Sequence, residues 1–379
     1  MEATHQHRSE RVWRRGKHVP ELDGLRGLAI LVVTLYRFGK GFPEETVIGK
    51  WIGFVLSHGD RGVDLFFVLS GFLITGILID GKDRPHYFRN FIARRSLRIF
   101  PLYFCTLAAI VIGASLFPEL AEMFALPLSN QFYLWTYLVN VKMSFENEWC
   151  FGYLDHFWSL AVEEHFYLVW PFILFHLRST LTLRVAIGLA ILSAVSRVGY
   201  VLATQHGVAA DVLTIFRVDS LLIGAAVAVI ARRPKGLEPL KKWLPIAFLV
   251  CVFIVAMGLV LNKGLFTLTH TLWPVIWAYI LVWLMTAYRS AGLARFFNLS
   301  GLRSLGKYSY AMYVFQNPLI ALVSAVLTAS TFTAVTGDAV TSHLGYIGVM
   351  FTLTYLAAVA SWYLLERHFL KLKRYFPSG

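Results

Sequence analysis

Two glutamates and two histidines stand close together in the segment DHFWSLAVEEHFYLVWP, residues 155–171, where they could carry acid–base chemistry. Glu163 follows His156 by one or two helical turns, and a carboxylate beside an imidazole can take the proton of an attacking hydroxyl group. We therefore predict that Glu163 and His156 are catalytic and that Glu164 and His165 belong to the polar cavity around them. In the alternative interpretation, Glu163 only pairs with a buried arginine and orders the helices.

Arg26 and Arg37 lie in one apolar segment, ELDGLRGLAILVVTLYRFG, residues 21–39. The eleven positions between them correspond to about three turns and about 16 Å of α-helix, so both guanidinium groups share one face. Two positive groups along one face suit a ligand that carries phosphates, because arginine makes forked contacts to them. Further charged residues in or beside apolar segments are Asp23, Asp64, Arg197, Arg217 and Asp219. They are predicted to line a hydrated cavity, with ordering ion pairs as the alternative.

Arg95 and Arg98 are three residues apart in RNFIARRSLRIFPLYF, residues 89–104, just before an apolar segment. At this spacing two side chains meet on one helix face. Anchoring at the cytoplasmic membrane surface and capture of phosphate groups are both open explanations for them.

The elements that must position these residues are transmembrane helices. Of the 379 residues, 57% are hydrophobic and only 15% are charged, whereas a soluble domain has about 25% charged residues. Apolar stretches long enough to cross about 30 Å of hydrocarbon recur along the chain. The predicted fold is an all-α polytopic membrane protein with about ten transmembrane helices, at 22–38, 62–79, 99–117, 158–177, 185–204, 212–231, 243–262, 269–288, 305–330 and 344–366.

The basic residues predict the orientation of these helices. The net charge of +13 comes from groups between the apolar segments, which argues against nucleic acid as a partner and for the lipid bilayer. Placing the rich groups inside gives two cytoplasmic termini, with a basic tail at 1–21, a membrane domain at 22–370 and a tail at 371–379. This requires that the apolar run 130–143 dips into the outer face of the membrane or lies along it. Eleven spans would instead place the basic C-terminus outside.

Two further features are open. The aromatic stretch FYLWTY, residues 132–137, could stack on sugar faces or could belong to the membrane interface. The cysteines Cys105, Cys150 and Cys251 have no metal-site spacing, and no metal is expected.

Six ordered motifs resemble the acyltransferase 3 family of integral-membrane acyltransferases, which acylate sugars and cell-envelope polymers. The motifs are LDGLRGLAIL (22–31), GVDLFFVLSGFLIT (62–75), RSLR (95–98), FWSLAVEEHFYLVWP (157–171), FRVDSLLIGAAVA (216–228) and LGKYSYAMYVFQNPL (305–319). The resemblance covers the chain from about residue 20 to residue 370. It implies ten spans in the cell membrane, a cytoplasmic acyl-CoA donor, usually acetyl-CoA, and a carbohydrate or glycan acceptor whose hydroxyl group is presented outside. It also implies that Arg26, Arg95 and Arg98 bind the donor phosphates, while Glu163 sits where the acceptor arrives.

The sequence departs from the family pattern at two histidines. The family has a histidine, taken as the catalytic base, where this chain has Arg37, and another where it has Gln316. Histidine can accept a proton near neutral pH, whereas arginine stays charged and glutamine is no base. Arg37 is still predicted as a catalytic residue, since it could stabilise an oxyanion or hold a phosphate or carboxylate, and Gln316 is assigned to the supporting polar cavity.

Three hypotheses remain open at this point. In the first, the protein is an active acyltransferase that uses Glu163, assisted by His156 or His165, as base. In the second, it is a non-catalytic relative that binds or moves a ligand. A channel or ion-coupled transporter is the third.

Overall fold

A computed structural model of the protein describes residues 18–261, 265–324 and 326–377. Most of the predicted basic tail at 1–21 and the end of the tail at 371–379 lie outside the described residues. Ten helices of eighteen or more residues occur in the described part of the chain. They are α1 (Pro20–Phe38), α2 (Gly62–Gly81), α3 (Tyr87–Leu116), α4 (Trp158–His176), α5 (Ser179–Thr204), α6 (Thr214–Ala231), α7 (Glu238–Leu261), α8 (Thr269–Thr286), α9 (Ser300–Ser324) and α10 (Ala339–Ser361).

Shorter helices fill the connections between these ten. The short α-helices are Val47–Ser57, Pro118–Met123, Ala125–Ser129, Gln131–Trp135, Val139–Glu146, Gly207–Val212, Gly292–Phe297, Ala329–Thr336 and Arg367–Lys371. The 3₁₀ helices are His58–Arg61, Gly152–Phe157, Leu265–Leu268 and Leu372–Tyr375, and a π-helix covers Trp362–Glu366.

Each predicted apolar segment coincides with one of the ten long helices. The largest difference is α3, which begins at Tyr87 instead of residue 99, because the basic stretch before the apolar run continues the same helix. By length and composition, six helical stretches within the described residues could cross a membrane. These stretches are Val47–Gly81, Tyr87–Leu116, Ser179–Thr204, Gly207–Ala231, Thr269–Thr286 and Ala339–Tyr375.

The apolar run 130–143 does not form one helix. It is divided between Gln131–Trp135 and Val139–Glu146, which have five and eight residues. Eight residues of helix reach only about 12 Å, which is well short of the bilayer core. Its aromatic side chains pack on α3: Tyr137 stacks on Tyr103 with ring centroids 4.3 Å apart, and Trp135 stacks on Phe104 at 5.7 Å.

Glycines allow two pairs of helices to touch through their backbones. A Cβ atom at Gly27 or Gly306 would overlap a backbone carbonyl of the other helix, so α1 and α9 are in direct contact. The same holds for Gly71 of α2 and Gly224 of α6. Small residues at helix crossings are typical of membrane bundles, where close packing replaces the hydrophobic effect as the source of association. These two crossings bring polar residues of different helices to common cavities.

Candidate active site

A cavity of about 90 Å³, here called the arginine cavity, lies between α1, α2, α3, α4 and α9. The polar residues that line it are Arg26, Ser70, Arg95, Arg98, Ser159, Glu163, Tyr167, Ser309, Tyr310 and Tyr313. The structure thus brings together Glu163 and the three arginines that the sequence analysis assigned to the donor. Its volume is far below the roughly 300–1,000 Å³ of sites that enclose a whole small molecule. The cavity therefore fits only one end of a larger ligand.

Glu163 is held in place by a short chain of hydroxyl groups. The Oγ atom of Ser70 donates a hydrogen bond to Oε1 of Glu163 at 2.6 Å, and the hydroxyl of Tyr167 donates to Ser70 at 3.2 Å. Ser70 comes from α2, and Tyr167 lies one turn after Glu163 on α4. A charge-assisted bond of this length fixes one carboxylate oxygen and leaves the other available to the cavity.

The three arginines of this cavity have no ion-pair partner among the residues that the structure describes. Among the described residues, Arg26, Arg95 and Arg98 form no ion pair within 4.0 Å and donate no hydrogen bond. The guanidinium of Arg95 lies 5.9 Å from the ring centroids of both Phe91 and Tyr167. With Glu163 as the carboxylate that lines the same cavity, positive charge is in excess. Such a group of guanidiniums is suited to bind an anion.

Arg94, one residue before Arg95, has a structural role instead. Its guanidinium donates to the backbone carbonyl groups of Lys373 at 3.2 Å and Phe376 at 2.8 Å. This ties the end of the described chain to α3. The two neighbouring arginines therefore point in different directions, because successive helical residues are turned by about 100°.

A second cavity of about 720 Å³, here called the mixed-charge cavity, lies at the other end of α1. Its charged and histidine lining consists of Arg37, Lys40, Asp60, Arg61, Asp64, Asp155, Asp211, Arg217 and His270. Aromatic residues line it as well, namely Tyr36, Phe38, Trp149, Tyr153, Trp158 and Tyr346. Its volume and lining suit a small polar molecule.

Five of these charged residues form a closed network. Arg217 donates to Asp64 at 2.5 Å, and both Arg217 and Arg61 contact Nδ1 of His270, the latter at 3.0 Å. Nε2 of His270 lies 2.9 Å from Oδ1 of Asp211. These contacts assign the proton to Nε2, with Nδ1 as acceptor. The sequence analysis identified Asp64 and Arg217 but not Arg61, Asp211 and His270. The sequence shows these three only as polar residues at the edges of apolar segments.

Arg37 and Lys40 stand outside that network. Neither forms an ion pair or a hydrogen bond with any residue that the structure describes, and Nε of Arg37 is buried without a partner. The two cations lie on Tyr36, at 5.3 Å and 5.5 Å from its ring centroid. Asp155 is nearby and accepts a hydrogen bond from the Phe151 N–H group at 2.8 Å. Burial raises the pKa of Asp155 to about 6, although this hydrogen bond and both cations act in the opposite direction.

A thin wall separates the two cavities. Trp158 lines the mixed-charge cavity and the next residue, Ser159, lines the arginine cavity, while Val63 lines both. Ser159 and the hydroxyl of Tyr313 are 2.5 Å apart, and Tyr313 donates to the backbone carbonyl of His156 at 2.9 Å. In place of the one hydrated cavity that the sequence analysis predicts, the structure has two cavities, and the Ser159–Tyr313 contact lies in the wall between them.

The three predicted catalytic residues fall in three different places. Glu163 lines the arginine cavity, Arg37 lines the mixed-charge cavity, and His156 is fully buried in the wall. Nε2 of His156 lies 3.4 Å from the Val314 carbonyl, and Nδ1 has no partner among the described residues. Arg26 and Arg37 are both on α1 but line different cavities, because the wall between the cavities meets α1 between these two residues.

The predicted supporting residues also divide. Asp64 and Arg217 line the mixed-charge cavity. Five others line neither cavity. Asp23 forms an ion pair with His18 at 3.1 Å, and Asp219 forms one with Arg197 at 3.1 Å. His165 is hydrogen-bonded to Thr214 at 2.7 Å and Gln316 to Thr34 at 3.4 Å, while Oε1 of Glu164 is buried without a partner among the described residues. Glu164 and His165 cannot follow Glu163 into its cavity, since each successive residue turns by about 100° around the helix.

No group of three or more His, Cys, Asp or Glu side chains that could hold a metal ion occurs in the described part of the chain.

Comparisons with known proteins give one family. The sequence model of a family described as an acyltransferase domain, acyltransferase 3, matches residues 19–363. Peptidoglycan O-acetyltransferase OatA of Listeria monocytogenes is 30% identical over 340 residues, which cover 82% of this chain and 51% of that protein. O-acetyltransferase OatA of Staphylococcus aureus is 26% identical over 339 residues, which cover 82% of this chain and 52% of that protein. The chain thus spans about half the length of the curated relatives it matches. No solved structure matches.

Proposed function

Since this chain belongs to the acyltransferase 3 family, we propose that it is a membrane-bound O-acyltransferase. It transfers an acyl group, in particular acetyl, from cytoplasmic acyl-CoA to a hydroxyl of a carbohydrate or envelope glycan on the outer side. The similarity to peptidoglycan O-acetyltransferases supports this acceptor class. The observation that carries the proposal is the arginine cavity, where Arg26, Arg95 and Arg98, all without anionic partners among the described residues, surround Glu163.

The proposed topology has about ten spans, with 22–370 as the membrane domain of a protein in the plasma membrane. Both termini, including the tails at 1–21 and 371–379, are placed in the cytoplasm. The basic residues of these tails and of the stretch before α3 support this orientation by the positive-inside rule. It directs the arginine cavity toward the cytoplasm and the mixed-charge cavity toward the outside.

The donor is proposed to enter with its thioester end. The cavity of about 90 Å³ accepts an acyl thioester, while the phosphates of acyl-CoA stay at the cytoplasmic mouth. Arg95 and Arg98 lie one turn apart on α3, and Lys373 is close enough to both to interact electrostatically. Arginine forks match phosphate oxygens, so these side chains would fix the donor by its charged part.

Glu163 is proposed as the base, assisted by His156 in the wall. The acceptor oxygen attacks the thioester carbonyl carbon, the hydroxyl proton passes to Glu163, and the carbon–sulfur bond breaks. The proton then passes to the departing thiolate, which leaves as free CoA. Transfer requires that the Ser159–Tyr313 contact opens, because it stands between the two chambers. Arg37 faces the acceptor side, where it could offset negative charge.

The donor site is tested by measuring acyl-CoA binding and thioester turnover in purified protein. Arg98→Gln is expected to weaken acyl-CoA binding by about 10-fold or more, since it removes a charge-assisted contact. Arg89→Gln is the matched control, because Arg89 is an exposed arginine on the same helix and lines neither cavity. Equal affinity in both variants would contradict the donor assignment.

The base is tested in the same assay with Glu163→Gln, which keeps the shape of the side chain but accepts no proton. Turnover is expected to fall by about 100-fold or more, with acyl-CoA binding retained. Equal turnover of this variant and the unaltered chain would contradict the role of Glu163 as the base.

A second candidate function is favoured by the joint absence of the two family histidines. In this alternative, the chain is a non-catalytic relative that binds or moves a ligand, with Arg37 and Gln316 in place of the histidines. The double variant Arg37→His, Gln316→His decides between the candidates. Turnover that appears only in this variant supports the non-catalytic relative, whereas robust turnover of the unaltered chain removes it.

A further inference from the structure

The mixed-charge cavity contains cations of two kinds. Arg217 and Arg61 are neutralised inside the protein, since Arg217 bonds to Asp64 at 2.5 Å and Arg61 lies 3.5 Å from Asp60. His270 is likewise engaged by Asp211. The carboxylates of Asp60, Asp64 and Asp211 are therefore already paired within the protein. The network explains why charged residues can stay buried there without a ligand.

Arg37 and Lys40 are the second kind. Among the described residues neither has a carboxylate within ion-pair distance or a hydrogen-bond acceptor, and the Nε–H group of Arg37 is buried. Asp155 is the nearby carboxylate, but it is bound to the Phe151 N–H group and stays beyond 4.0 Å from both cations. Two cations that line one cavity without a carboxylate at ion-pair distance are suited to hold an anion from outside the chain.

The surroundings of these two cations indicate the kind of molecule. The cavity has room for a sugar unit, and aromatic side chains that can stack on an apolar sugar face, among them Trp149 and Tyr153, line it. Asn317 also lines the cavity, and its side-chain oxygen, which has no partner among the described residues, can accept a hydrogen bond from a sugar hydroxyl group. Aromatic faces together with convergent polar groups are typical of small-molecule sites.

We propose that the mixed-charge cavity binds an anionic acceptor carbohydrate, and that Arg37 and Lys40 hold its carboxylate or phosphate group. The inference rests on the proposed function for its direction, since acceptors arrive on this side. It deepens that function by making the acceptor an acidic sugar. It also gives Arg37 a role as the residue that selects and positions the acceptor, in place of the family's histidine.

The test is the binding of three matched sugars to the purified protein in detergent, measured by intrinsic tryptophan fluorescence, to which Trp149 and Trp158 of the cavity contribute. The probes are glucose, glucuronic acid and glucose 6-phosphate, so that the carboxylate and phosphate arms are compared with a neutral sugar. We expect at least one acidic sugar to bind about 10-fold more tightly than glucose, and the difference to shrink in high salt.

Substitutions then locate the anion. Arg37→Gln and Lys40→Gln are each expected to remove most of the preference for the acidic sugar, while Arg37→Lys keeps part of it because the charge remains without the fork. Lys50→Gln is the matched control, since Lys50 is an exposed cation of the same outer loop that does not line the cavity. Equal binding of all three sugars, or an acidic preference that survives Arg37→Gln, overturns the proposal.

Thioester turnover measured on the same samples separates this inference from the proposed function. Acid-selective binding without turnover in any preparation supports the anion site while the acyltransferase proposal fails. Turnover without acid selectivity leaves the acyltransferase in place and overturns the anion site.

Discussion

The crossing of α1 and α9 offers a direct test of how the arginine cavity is built. A Cβ atom at Gly306 would overlap the backbone oxygen of Asp23 and lie 2.7 Å from its carbonyl carbon and 3.1 Å from the Gly27 nitrogen. These are backbone atoms that no rotamer change can move away. In Gly306→Ala the two helices must therefore separate by about 1.5 Å to reach ordinary contact distances. Overpacking of this kind is unfavourable by about 3 kcal/mol.

The consequence reaches the cavity because Arg26 precedes Gly27 on α1, while Tyr310 and Tyr313 follow Gly306 on α9. At about 2 °C for each kcal/mol, the thermal unfolding midpoint of Gly306→Ala in detergent is expected to fall by about 6 °C. A displacement of about 1 Å between positioning groups lowers a reaction rate about 100-fold, so acyl transfer should fall by that factor even below the unfolding temperature.

Gly301→Ala is the control on the same helix, because its Cβ would meet no heavy atom within 4 Å. Alanine there favours the helix by up to about 1 kcal/mol, so the midpoint should stay or rise slightly. If Gly306→Ala and Gly301→Ala unfold at the same temperature, the direct backbone contact of α1 and α9 is refuted.

Two further predictions concern charge. Burial raises the pKa of Asp155 to about 6, so below pH 6 this carboxyl is mostly protonated and no longer repels an anion held by Arg37. Affinity for glucuronic acid, whose carboxylate stays ionised in this range, should therefore rise as the pH falls from 7.5 to 5, and in Asp155→Asn it should lose this dependence. The Asp219→Asn variant leaves the fully buried Arg197 without its carboxylate and should lower the free energy of unfolding by about 3–5 kcal/mol. Glu146→Gln, which breaks an exposed pair, should change it by less than about 1 kcal/mol in the same unfolding experiment, and equal effects of these two variants would contradict the burial argument.

Much of the fold was predictable because each long helix leaves a local trace. An apolar run of about twenty residues satisfies its own backbone in lipid, so the segments around 62–79 and 185–204 were located without any tertiary information. Helix ends were less predictable. The start of α3 at Tyr87 was missed because a basic amphiphilic stretch continues a helix as readily as it ends one.

The candidate site was only partly predictable, because the local sequence marks single charged residues but not the contacts between residues that are distant in the chain. Arg26 and Glu163 were selected as charged residues in apolar segments, whereas Arg95 and Arg98 were assigned through the resemblance to the family. The structure places all four on one cavity. The partners of the mixed-charge network were not found, because the contact of Asp211 with His270 joins positions 59 residues apart in the chain. No local pattern encodes such a pairing.

The sequence by itself determined the helical membrane architecture, the family and the presence of charged groups that lipid does not tolerate. Tertiary structure alone decided which charges neutralise each other and which stay without a partner. It also decided that Glu163 and Arg37 face different chambers across the Ser159–Tyr313 contact. The physical reason is that hydrophobicity and helical period act along the chain, whereas a cavity depends on how separate helices pack, and here that packing depends on glycine contacts between backbones.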